Sequence, residues 1–346
     1  MQEQLGRSCV AIVGGGGFVG SSLAKHLSSR FDVRVLDLRA PDDLNTDFRK
    51  CDVREKDALV KNLAGCDLVV NTAIIQVPEI NSKKRLGYEV NVLGLQNICE
   101  AVASISSIKG LIHTGSWHVF GERDFYGVLD EQFGFRPDKI EDRAKFYALC
   151  KIIQESIVRV FAKTSSKSYS VIRLGTVLGE GMPKQTAANL FIDSALRGEA
   201  ITPYKHTQHR PMLYVDIQDV CSAFESLASK TLEGKMQQET PALVNLVSPF
   251  PVTVLELARI IRKKVIEITD GRMRSKIRVI DRGIKPVYRP RDKKSLRVDV
   301  SKARQLLEPR ELTHPEQTIA RIVIDRARAL KRETISDSDE KSKVVD

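Results

Sequence analysis

The sequence predicts an α/β fold with a doubly wound parallel sheet and a smaller C-terminal lobe. Short apolar runs alternate with helical patterns of ten or more residues, which is typical of βαβ units. After Leu174 this alternation weakens, and glycine and proline become frequent. The 346 residues also exceed what one small core needs, so we expect a main domain and a separate lobe.

The predicted strands are short and rich in β-branched residues, and right-handed crossovers should join them. They are Cys9–Val13 and residues 33–36, 67–72, 111–114, 169–174, 213–216 and 242–247, the last two returning to the main sheet. Helical spacing marks residues 86–103, 142–163, 253–265 and 315–332. Thr253 and Glu256 form a capping box at the start of one of these helices.

These elements predict a division of the chain into two domains and a tail. The main domain comprises residues 1–174 plus 212–248, and the lobe comprises residues 175–211 plus 249–333. The polar residues 334–346 should form a disordered tail, because they offer little apolar surface to bury.

Composition excludes several classes of protein. No apolar run is long enough to cross a bilayer, and Cys9–Val13 is too short for a signal peptide. We therefore expect a cytoplasmic protein. The 6 cysteines are scattered without a Cys-x-x-Cys pair, which favours buried free thiols over a disulfide or a metal site.

The net charge of +11 points to an anionic partner, and much of the excess lies between residues 259 and 297. Aromatic residues are sparse in that segment and no nucleic-acid-binding motif is present, so nucleic acid is disfavoured. Two interpretations remain open: a solvated basic face, or one or two arginines that bind a diphosphate.

A glycine-rich turn predicts a dinucleotide site of the Rossmann type. Gly14, Gly17 and Gly20, with Phe18 and Val19 between the last two, directly follow a strand and begin a helix. Glycine permits the tight turn and lets a pyrophosphate approach the backbone closely. The helix N-terminus offers unpaired N–H groups to the phosphates.

Asp37 ends the next strand, at the spacing expected of the ribose-binding acid in such a site. Its carboxylate can accept hydrogen bonds from both ribose hydroxyls and would repel a 2′-phosphate, which favours NAD over NADP. Arg39, two residues later, keeps NADP open. The alternative role for Asp37 is to cap a loop.

Tyr147 and Lys151 form a Tyr-x-x-x-Lys pair within a predicted helix, on one face of it. An ammonium beside a phenol lowers the phenol's pKa, so that Tyr147 can exchange a proton with a substrate hydroxyl. Ser116, at the end of a predicted strand, can hydrogen-bond the same oxygen. A surface pair without function is the alternative for Tyr147 and Lys151.

With these motifs the sequence resembles the NAD-dependent epimerase/dehydratase family of extended short-chain dehydrogenase/reductases, over about residues 8–330. The resemblance implies catalytic roles for Ser116, Tyr147 and Lys151. Tyr147 and Lys151 are also predicted to contact the cofactor, since Lys151 can hold the nicotinamide ribose. The resemblance implies further cofactor contacts, namely Asp52, Val53, Thr72, Ala73 and Asn91. For the substrate it implies Trp117, His118, Asn189, Arg210 and Arg289.

The family's 4,6-dehydratases carry an Asp-Glu pair where this sequence has Trp117 and His118, and its decarboxylases usually carry glutamate at the His118 position. Both chemistries are therefore disfavoured. Trp117 can wall the sugar site or simply pack. The resemblance implies an NAD-dependent 4-epimerase of a UDP-hexose, acting as a homodimer that pairs helices 86–103 and 142–163. The alternatives are a dehydrogenase or reductase of a sugar, sterol or amino-acid alcohol, and a non-catalytic dinucleotide binder.

Overall fold

The computed structural model describes residues 6–42, 46–236 and 239–342, with side chains up to residue 330. The chain forms two compact units. The first unit comprises Met1–Gly175, Ile217–Pro249 and Arg297–Leu312. The second unit comprises Thr176–Asp216, Phe250–Leu296 and Thr313–Asp346.

Eleven strands occur in the described residues. They are β1 (Cys9–Val13), β2 (Asp32–Asp37), β3 (Asp47–Lys50), β4 (Leu68–Asn71), β5 (Gly110–Ser116), β6 (Ser168–Leu174), β7 (Thr176–Leu178), β8 (Pro211–Met212), β9 (Tyr214–Asp216), β10 (Ala242–Leu246) and β11 (Val252–Thr253). The first unit holds a seven-stranded sheet in the order β10-β6-β5-β4-β1-β2-β3, and every pairing in it is parallel. This confirms the predicted doubly wound fold.

The same part of the chain contains twelve α-helices. They are α1 (Phe18–Leu27), α2 (Lys56–Leu63), α3 (Glu79–Ser82), α4 (Lys84–Tyr88), α5 (Gly94–Ser104), α6 (Lys145–Thr164), α7 (Ala187–Leu196), α8 (Ile217–Leu232), α9 (Val254–Ile268), α10 (Asp292–Ser295), α11 (Ser301–Leu307) and α12 (Pro315–Ser342). A π-helical segment, Glu89–Leu93, joins α4 to α5, so the predicted helix 86–103 is continuous but carries a bulge.

The core of the first unit lies between the sheet and its helices. Apolar side chains of β1 and β4 are fully buried, because a central parallel strand is covered on both faces. The structure adds β3 and α2, which the sequence analysis did not identify. Their partly exposed and charged residues give only a weak apolar period. The six cysteines are free thiols, and five of them are buried.

The second unit contains two small sheets, in which β7 pairs with β9 and β8 pairs with β11. The prediction that residues 213–216 return to the main sheet is therefore wrong. Main-sheet edge β10 pairs with β6 alone, whereas β9 aligns in parallel with β7. The predicted capping box is present, since Thr253 and Glu256 bond reciprocally at the start of α9.

Two boundaries of the units differ from the predicted domains. Residues 212–216 lie in the second unit, where β9 pairs with β7. Residues 297–312 lie in the first unit, where Val298 bridges to Leu129 and α11 packs against α8 and β10.

Helix α12 continues to Ser342, whereas the sequence analysis ends it at residue 332 and predicts a disordered tail. No glycine or proline follows Pro315, so nothing in the sequence breaks the helix. Residues 343–346 of that tail lie outside the described residues.

A buried ion pair links α6 to β6. Arg173 donates two hydrogen bonds to the Glu155 carboxylate, at 2.6 and 2.8 Å, and both side chains are 1% exposed. Burial acts to raise the pKa of Glu155, but Arg173 and then Arg159 outweigh it and hold that pKa below its usual value. The pair's stabilising contribution is therefore present at neutral pH and is lost as the pH falls through the acidic range.

Removing one partner of this pair should destabilise the first unit strongly. We expect Glu155→Ala to lower the free energy of unfolding by about 3–5 kcal/mol, because the Arg173 guanidinium stays buried without its carboxylate. Urea denaturation followed by circular dichroism measures the change. Glu79→Ala, which removes the exposed Glu79–Lys83 pair, is the control and should cost no more than about 0.5 kcal/mol. Equal effects of the two changes would contradict the buried pair's role.

Candidate active site

The carboxyl ends of four adjacent strands of the first unit carry the predicted cofactor and catalytic residues. Strands β1 and β4 are neighbours, and the strand order runs in opposite directions on their two sides. Ligands of doubly wound folds bind at such a switch point, outside the carboxyl ends of the strands. Gly14 follows β1, Asp37 ends β2, Thr72 follows β4 and Ser116 ends β5.

The glycines of the glycine-rich turn serve two purposes: two of them let the backbone pack closely, and one leaves space for a ligand. Gly14 has a φ of +83°, and a Cβ there would lie 2.4 Å from the Ala73 amide nitrogen. A Cβ on Gly20 would lie 2.3 Å from the Gly14 carbonyl oxygen. A Cβ on Gly17 would meet only that same oxygen, at an ordinary 3.5 Å. The chain's own packing thus requires Gly14 and Gly20, and Gly17 leaves space for a ligand.

Helix α1 presents a free N-terminus to this space. Its cap residue is Gly17, which has no side chain to bond the amides of Phe18, Val19 and Gly20. No acidic residue lies in the first turn. The turn and the helix start therefore fit the pyrophosphate of a dinucleotide, whose negative charge would bind the unpaired amides.

Asp37 lies at the edge of the glycine-rich turn. Its carboxylate accepts hydrogen bonds from the amides of Gly16, at 2.9 Å, and Arg39, at 3.2 Å. The loop-capping contact is therefore present, and it holds the carboxylate beside the turn. The same position suits recognition of an adenosine ribose, so the two interpretations of Asp37 are compatible.

The segment after β4 is fixed by side-chain hydrogen bonds. The Thr72 hydroxyl donates to the carbonyls of Val13 and Gly14, both at 3.0 Å, and so braces the glycine-rich turn. Asn91, in the π-helical segment, bonds both the N–H and the C=O of Ile75. Ala73 donates its N–H to the Asn71 side chain, at 3.0 Å. These hydrogen bonds make the segment a rigid wall of the predicted cofactor site.

Asp52 and Val53 follow β3, in the turn before α2. Arg54 bonds both oxygens of the Asp52 carboxylate, and this contact keeps the pKa of Asp52 below its usual value. Val53 is 7% exposed, and a Cβ on Gly94 would lie 2.6 Å from its side chain. The glycine of the Asn91–Gly94 motif therefore allows α5 to pack closely against this turn.

The three predicted catalytic residues come together in the first unit. Helix α6 packs against β5 and carries Tyr147 and Lys151, while Ser116 ends that strand. The Lys151 ammonium donates to the Thr114 carbonyl at 2.7 Å and lies 5.9 Å from the centre of the Tyr147 ring. The Ser116 side chain interacts with the Tyr147 phenol and acts to lower its pKa.

Burial dominates the acid–base properties of this group. It raises the pKa of Tyr147 to about 12, although the hydrogen bond with Ser116 acts in the opposite direction. It lowers the pKa of Lys151 to about 7. The phenolate therefore needs additional stabilisation before Tyr147 can act as a base at neutral pH.

The Ser116 side chain also contacts His118, whose Nδ1 lies 3.1 Å from the serine Oγ. His118 Nε2 lies 3.6 Å from Glu122, which pairs with Arg143. Glu122 and Arg143 are 21 residues apart and match no motif, so the sequence alone does not indicate them. Nor does it indicate the Thr114 carbonyl, because a backbone atom leaves no sequence signal.

Residues 10–238 match the NAD dependent epimerase/dehydratase family, and this match spans well over half of the chain. The chain belongs to the NAD-dependent epimerase/dehydratase family. It is therefore an NAD-dependent enzyme of the epimerase or dehydrogenase kind.

Relatives within this family differ in activity. A Methanocaldococcus jannaschii protein whose name proposes a UDP-glucose 4-epimerase is 28% identical over 203 residues, which are 55% of this chain and 64% of that protein. The match thus spans just under two thirds of that relative's length. Cinnamoyl-CoA reductase 1 of Petunia hybrida is 29% identical over 234 residues, which are 62% of this chain and 67% of the reductase.

Solved structures of the family share the fold. The structure of MoeE5 in complex with UDP-glucose and NAD superposes with a TM-score of 0.73 and 22% identity, over 93% of this chain and 100% of that one. A crystal structure of UDP-galactose 4-epimerase gives a TM-score of 0.71 and 19% identity, over 93% of this chain and 99% of the epimerase.

Two negative findings concern the described part of the chain. No helix there is long and apolar enough to span a membrane. No group of three or more His, Cys, Asp or Glu side chains in that part is arranged to hold a metal ion.

Trp117, one of the predicted substrate residues, lies in the first unit and is 1% exposed, as expected of a packing residue. Its indole Nε1 is nevertheless buried without a hydrogen-bond partner among the residues that the structure describes. A buried donor of this kind is unusual and can serve a ligand. Both interpretations of Trp117 therefore stay open.

The remaining predicted substrate residues lie in the second unit. The Asn189 amide is buried and already bonded, since it donates to the Met182 carbonyl and accepts from Arg326. Arg210 directly precedes β8 and is partly buried, and Arg289 is exposed just before α10. Their contacts with substrate stay predictions.

Alanine at Gly17 should separate cofactor binding from folding. We expect Gly17→Ala to keep the thermal midpoint of the unaltered protein while weakening NAD binding roughly tenfold or more. Gly14→Ala should instead destabilise the fold by more than about 1 kcal/mol, because of its left-handed backbone and the close Ala73 backbone. Calorimetric titration with NAD and thermal unfolding measure both effects. Unchanged NAD affinity in Gly17→Ala would refute this assignment.

Asp37 should control the choice between NAD and NADP. We expect Asp37→Ala to weaken NAD binding roughly tenfold. The change should also reduce the preference for NAD over NADP, because the repulsion of a 2′-phosphate is removed. Titration with each dinucleotide measures the dissociation constants of NAD and NADP. Asp32→Ala, at the opposite end of β2, is the matched control and should change neither dissociation constant. Equal binding of NAD and NADP by the unaltered protein would contradict the assignment.

Proposed function

We propose that the chain is a nucleotide-sugar 4-epimerase that acts on a UDP-hexose through a transient 4-keto intermediate. The observation that carries the proposal is the grouping of three side chains at the carboxyl end of β5: the Lys151 ammonium, held by the Thr114 carbonyl, lies 5.9 Å from the centre of the Tyr147 ring, and Ser116 interacts with the same phenol. This group can move a proton at a single alcohol. The positions after Ser116 hold Trp117 and His118, so they supply no carboxylate for elimination or decarboxylation.

In this mechanism Tyr147 accepts the proton of the sugar 4-hydroxyl as its phenolate and later returns it. Ser116 hydrogen-bonds the same oxygen and orients the substrate. A positive charge on Lys151 stabilises the phenolate against the cost of burial. Bound at the glycine-rich turn and Asp37, NAD would supply a reversible hydride acceptor, so that the reaction would have no net oxidation.

The nucleotide part of the proposal is supported by the M. jannaschii relative, which carries the name of a UDP-glucose enzyme. The diphosphate is also supported by a 4-epimerase of Escherichia coli O157:H7 that is named for a diphosphate-linked sugar on undecaprenol and is 29% identical over 175 residues. In this proposal Arg210 and Arg289 bind the diphosphate, because a guanidinium can bond a phosphate through two N–H groups. In the same proposal Asn189 contributes to substrate binding through its position in α7.

We also propose that the chain acts as a homodimer. Helix α6 exposes the apolar side chains of Leu149, Ile153 and Val160, and the neighbouring helical segments expose Tyr88 and Leu93. Such side chains on adjacent helices are typical of a surface that a second copy covers. Location in the cytoplasm stays a prediction.

A second candidate function is that of a dehydrogenase or reductase of an alcohol, with the same catalytic group. The relative that favours it is dTDP-6-deoxy-L-talose 4-dehydrogenase of Kitasatospora kifunensis, 25% identical over 263 residues, which are 73% of this chain. The two functions differ in cofactor turnover. An epimerase regenerates its NAD in each cycle, whereas a dehydrogenase releases NADH.

The purified protein should interconvert UDP-glucose and UDP-galactose without added cofactor, which chromatography of the nucleotide sugars measures. We expect Tyr147→Phe to lower kcat by about 10²–10⁴-fold, because the phenyl ring cannot exchange the proton. Tyr126→Phe, at a side chain that is 66% exposed, is the control and should keep full activity.

Three results would decide against this function. Full activity of Tyr147→Phe would remove the proposed base. Absence of conversion for every nucleotide sugar tested would exclude the epimerase. Steady NADH production from a single alcohol would favour the dehydrogenase.

A further inference from the structure

A chain of polar groups extends from Tyr147 toward the interior of the first unit. The Ser116 side chain interacts with the Tyr147 phenol, whose pKa it acts to lower, and its Oγ lies 3.1 Å from His118 Nδ1. On the other side of the imidazole, Nε2 lies 3.6 Å from a Glu122 carboxylate oxygen. The rings of His118 and Tyr147 also meet edge to face, with their centres 5.7 Å apart.

The end of this chain is a carboxylate whose charge is balanced. The Glu122 side chain is completely buried, and it accepts hydrogen bonds from the Arg143 guanidinium and from the Glu141 amide, the latter at 3.0 Å. An ion pair with these extra bonds can keep a carboxylate charged in the interior. The His118 side chain is 14% exposed, so water can reach it.

A carboxylate beside one ring nitrogen sets the tautomer of a histidine. Glu122 favours the proton on Nε2, which leaves Nδ1 as an acceptor toward Ser116. The Ser116 hydroxyl can then donate to His118 while its oxygen accepts from Tyr147. The donors and acceptors of the three groups then follow one another in order, with a hydrogen bond between Ser116 and His118 and an ion-pair distance of 3.6 Å from His118 to Glu122.

We propose that Ser116, His118 and Glu122 form a proton relay that deprotonates Tyr147 before catalysis and reprotonates it afterwards. This proposal rests on the proposed function only in taking Tyr147 as the base. It adds His118 as a residue that acts through Ser116, at a position where related dehydratases and decarboxylases carry a carboxylate.

The relay step conserves protons. The Tyr147 hydroxyl proton moves to Ser116 Oγ, and the Ser116 proton moves at the same time to His118 Nδ1. Tyr147 becomes a phenolate and His118 an imidazolium, whose charge Glu122 stabilises. Ser116 then donates to the phenolate, which next accepts the proton of the substrate hydroxyl. The reverse transfers restore the starting state.

The structure also gives a reason for such a relay. Burial opposes both the Tyr147 phenolate and the Lys151 ammonium. Because burial makes protonation of Lys151 less favourable, Lys151 alone stabilises the phenolate less well. An imidazolium paired with Glu122 adds a second positive charge close to Tyr147.

The hydrogen-bond series can be tested without any substrate. Long-range ¹H–¹⁵N spectra of the protein labelled with ¹⁵N-histidine, recorded at pH 8.5, report the tautomer of each neutral histidine. We expect the signal that disappears in His118→Asn to belong to the Nε2–H tautomer. An Nδ1–H tautomer would overturn the relay, because Nδ1 would then have no lone pair for Ser116.

Kinetics test proton transfer itself. Asparagine at position 118 can keep a hydrogen bond with Ser116 but cannot carry the proton, so we expect His118→Asn to lower kcat roughly 10²-fold with little change in KM. External imidazole should restore part of the kcat of His118→Ala, because it can replace the missing ring. His26→Asn, which removes the other histidine paired with a glutamate, is the matched control and should keep full activity.

Unchanged kcat in His118→Asn, or absence of imidazole rescue in His118→Ala, would overturn the relay. Failure of the proposed function is distinguishable from this outcome. If no nucleotide sugar reacts, the tautomer of His118 still tests whether Nδ1 can accept a hydrogen bond from Ser116. The kinetic comparison of the same variants then uses the NAD-dependent oxidation of any alcohol that the protein accepts.

Discussion

The hydrogen bond from the Lys151 ammonium to the Thr114 carbonyl, 2.7 Å long, connects the catalytic helix to the central sheet. It links α6 to β5 two residues before that strand ends at Ser116. Because Tyr147 lies one helical turn before Lys151, this contact also fixes the phenol beside the serine. The site thus depends on a cation that is held by a backbone oxygen in a position where burial disfavours its charge.

Few charged groups lie in the interior around Lys151, and the partners that these groups need explain how the surrounding residues are arranged. The buried pair of Glu155 and Arg173 fastens α6 to β6, one strand beyond β5. The carboxylate of Glu122 faces His118 on the opposite side of Ser116. Charged groups in the interior are stable only with partners. Both buried carboxylates of the first unit named here, Glu155 and Glu122, therefore have an arginine partner.

The predicted cofactor site follows a different principle, in which backbone groups line the space left for a ligand. Gly14 and Gly20 are glycine because neighbouring backbone atoms leave no room for a Cβ. Gly17 is glycine at a position where the chain itself leaves room. Thr72 and Asn91 then hold the surrounding backbone by their side chains. Preorganised amides can bind an anion without reorganising.

The sequence by itself determined the doubly wound sheet, the glycine-rich turn and the Ser116, Tyr147 and Lys151 group. Their signals are local: apolar period, glycine at fixed spacing, and i, i+4 pairing on one helix. It erred for residues 213–216, because an apolar run of four residues does not say which sheet it joins. Only the tertiary structure revealed Glu122, Arg143 and the Thr114 carbonyl. These groups are separated along the chain or belong to the backbone, and packing of α6 on the sheet brings them to the site.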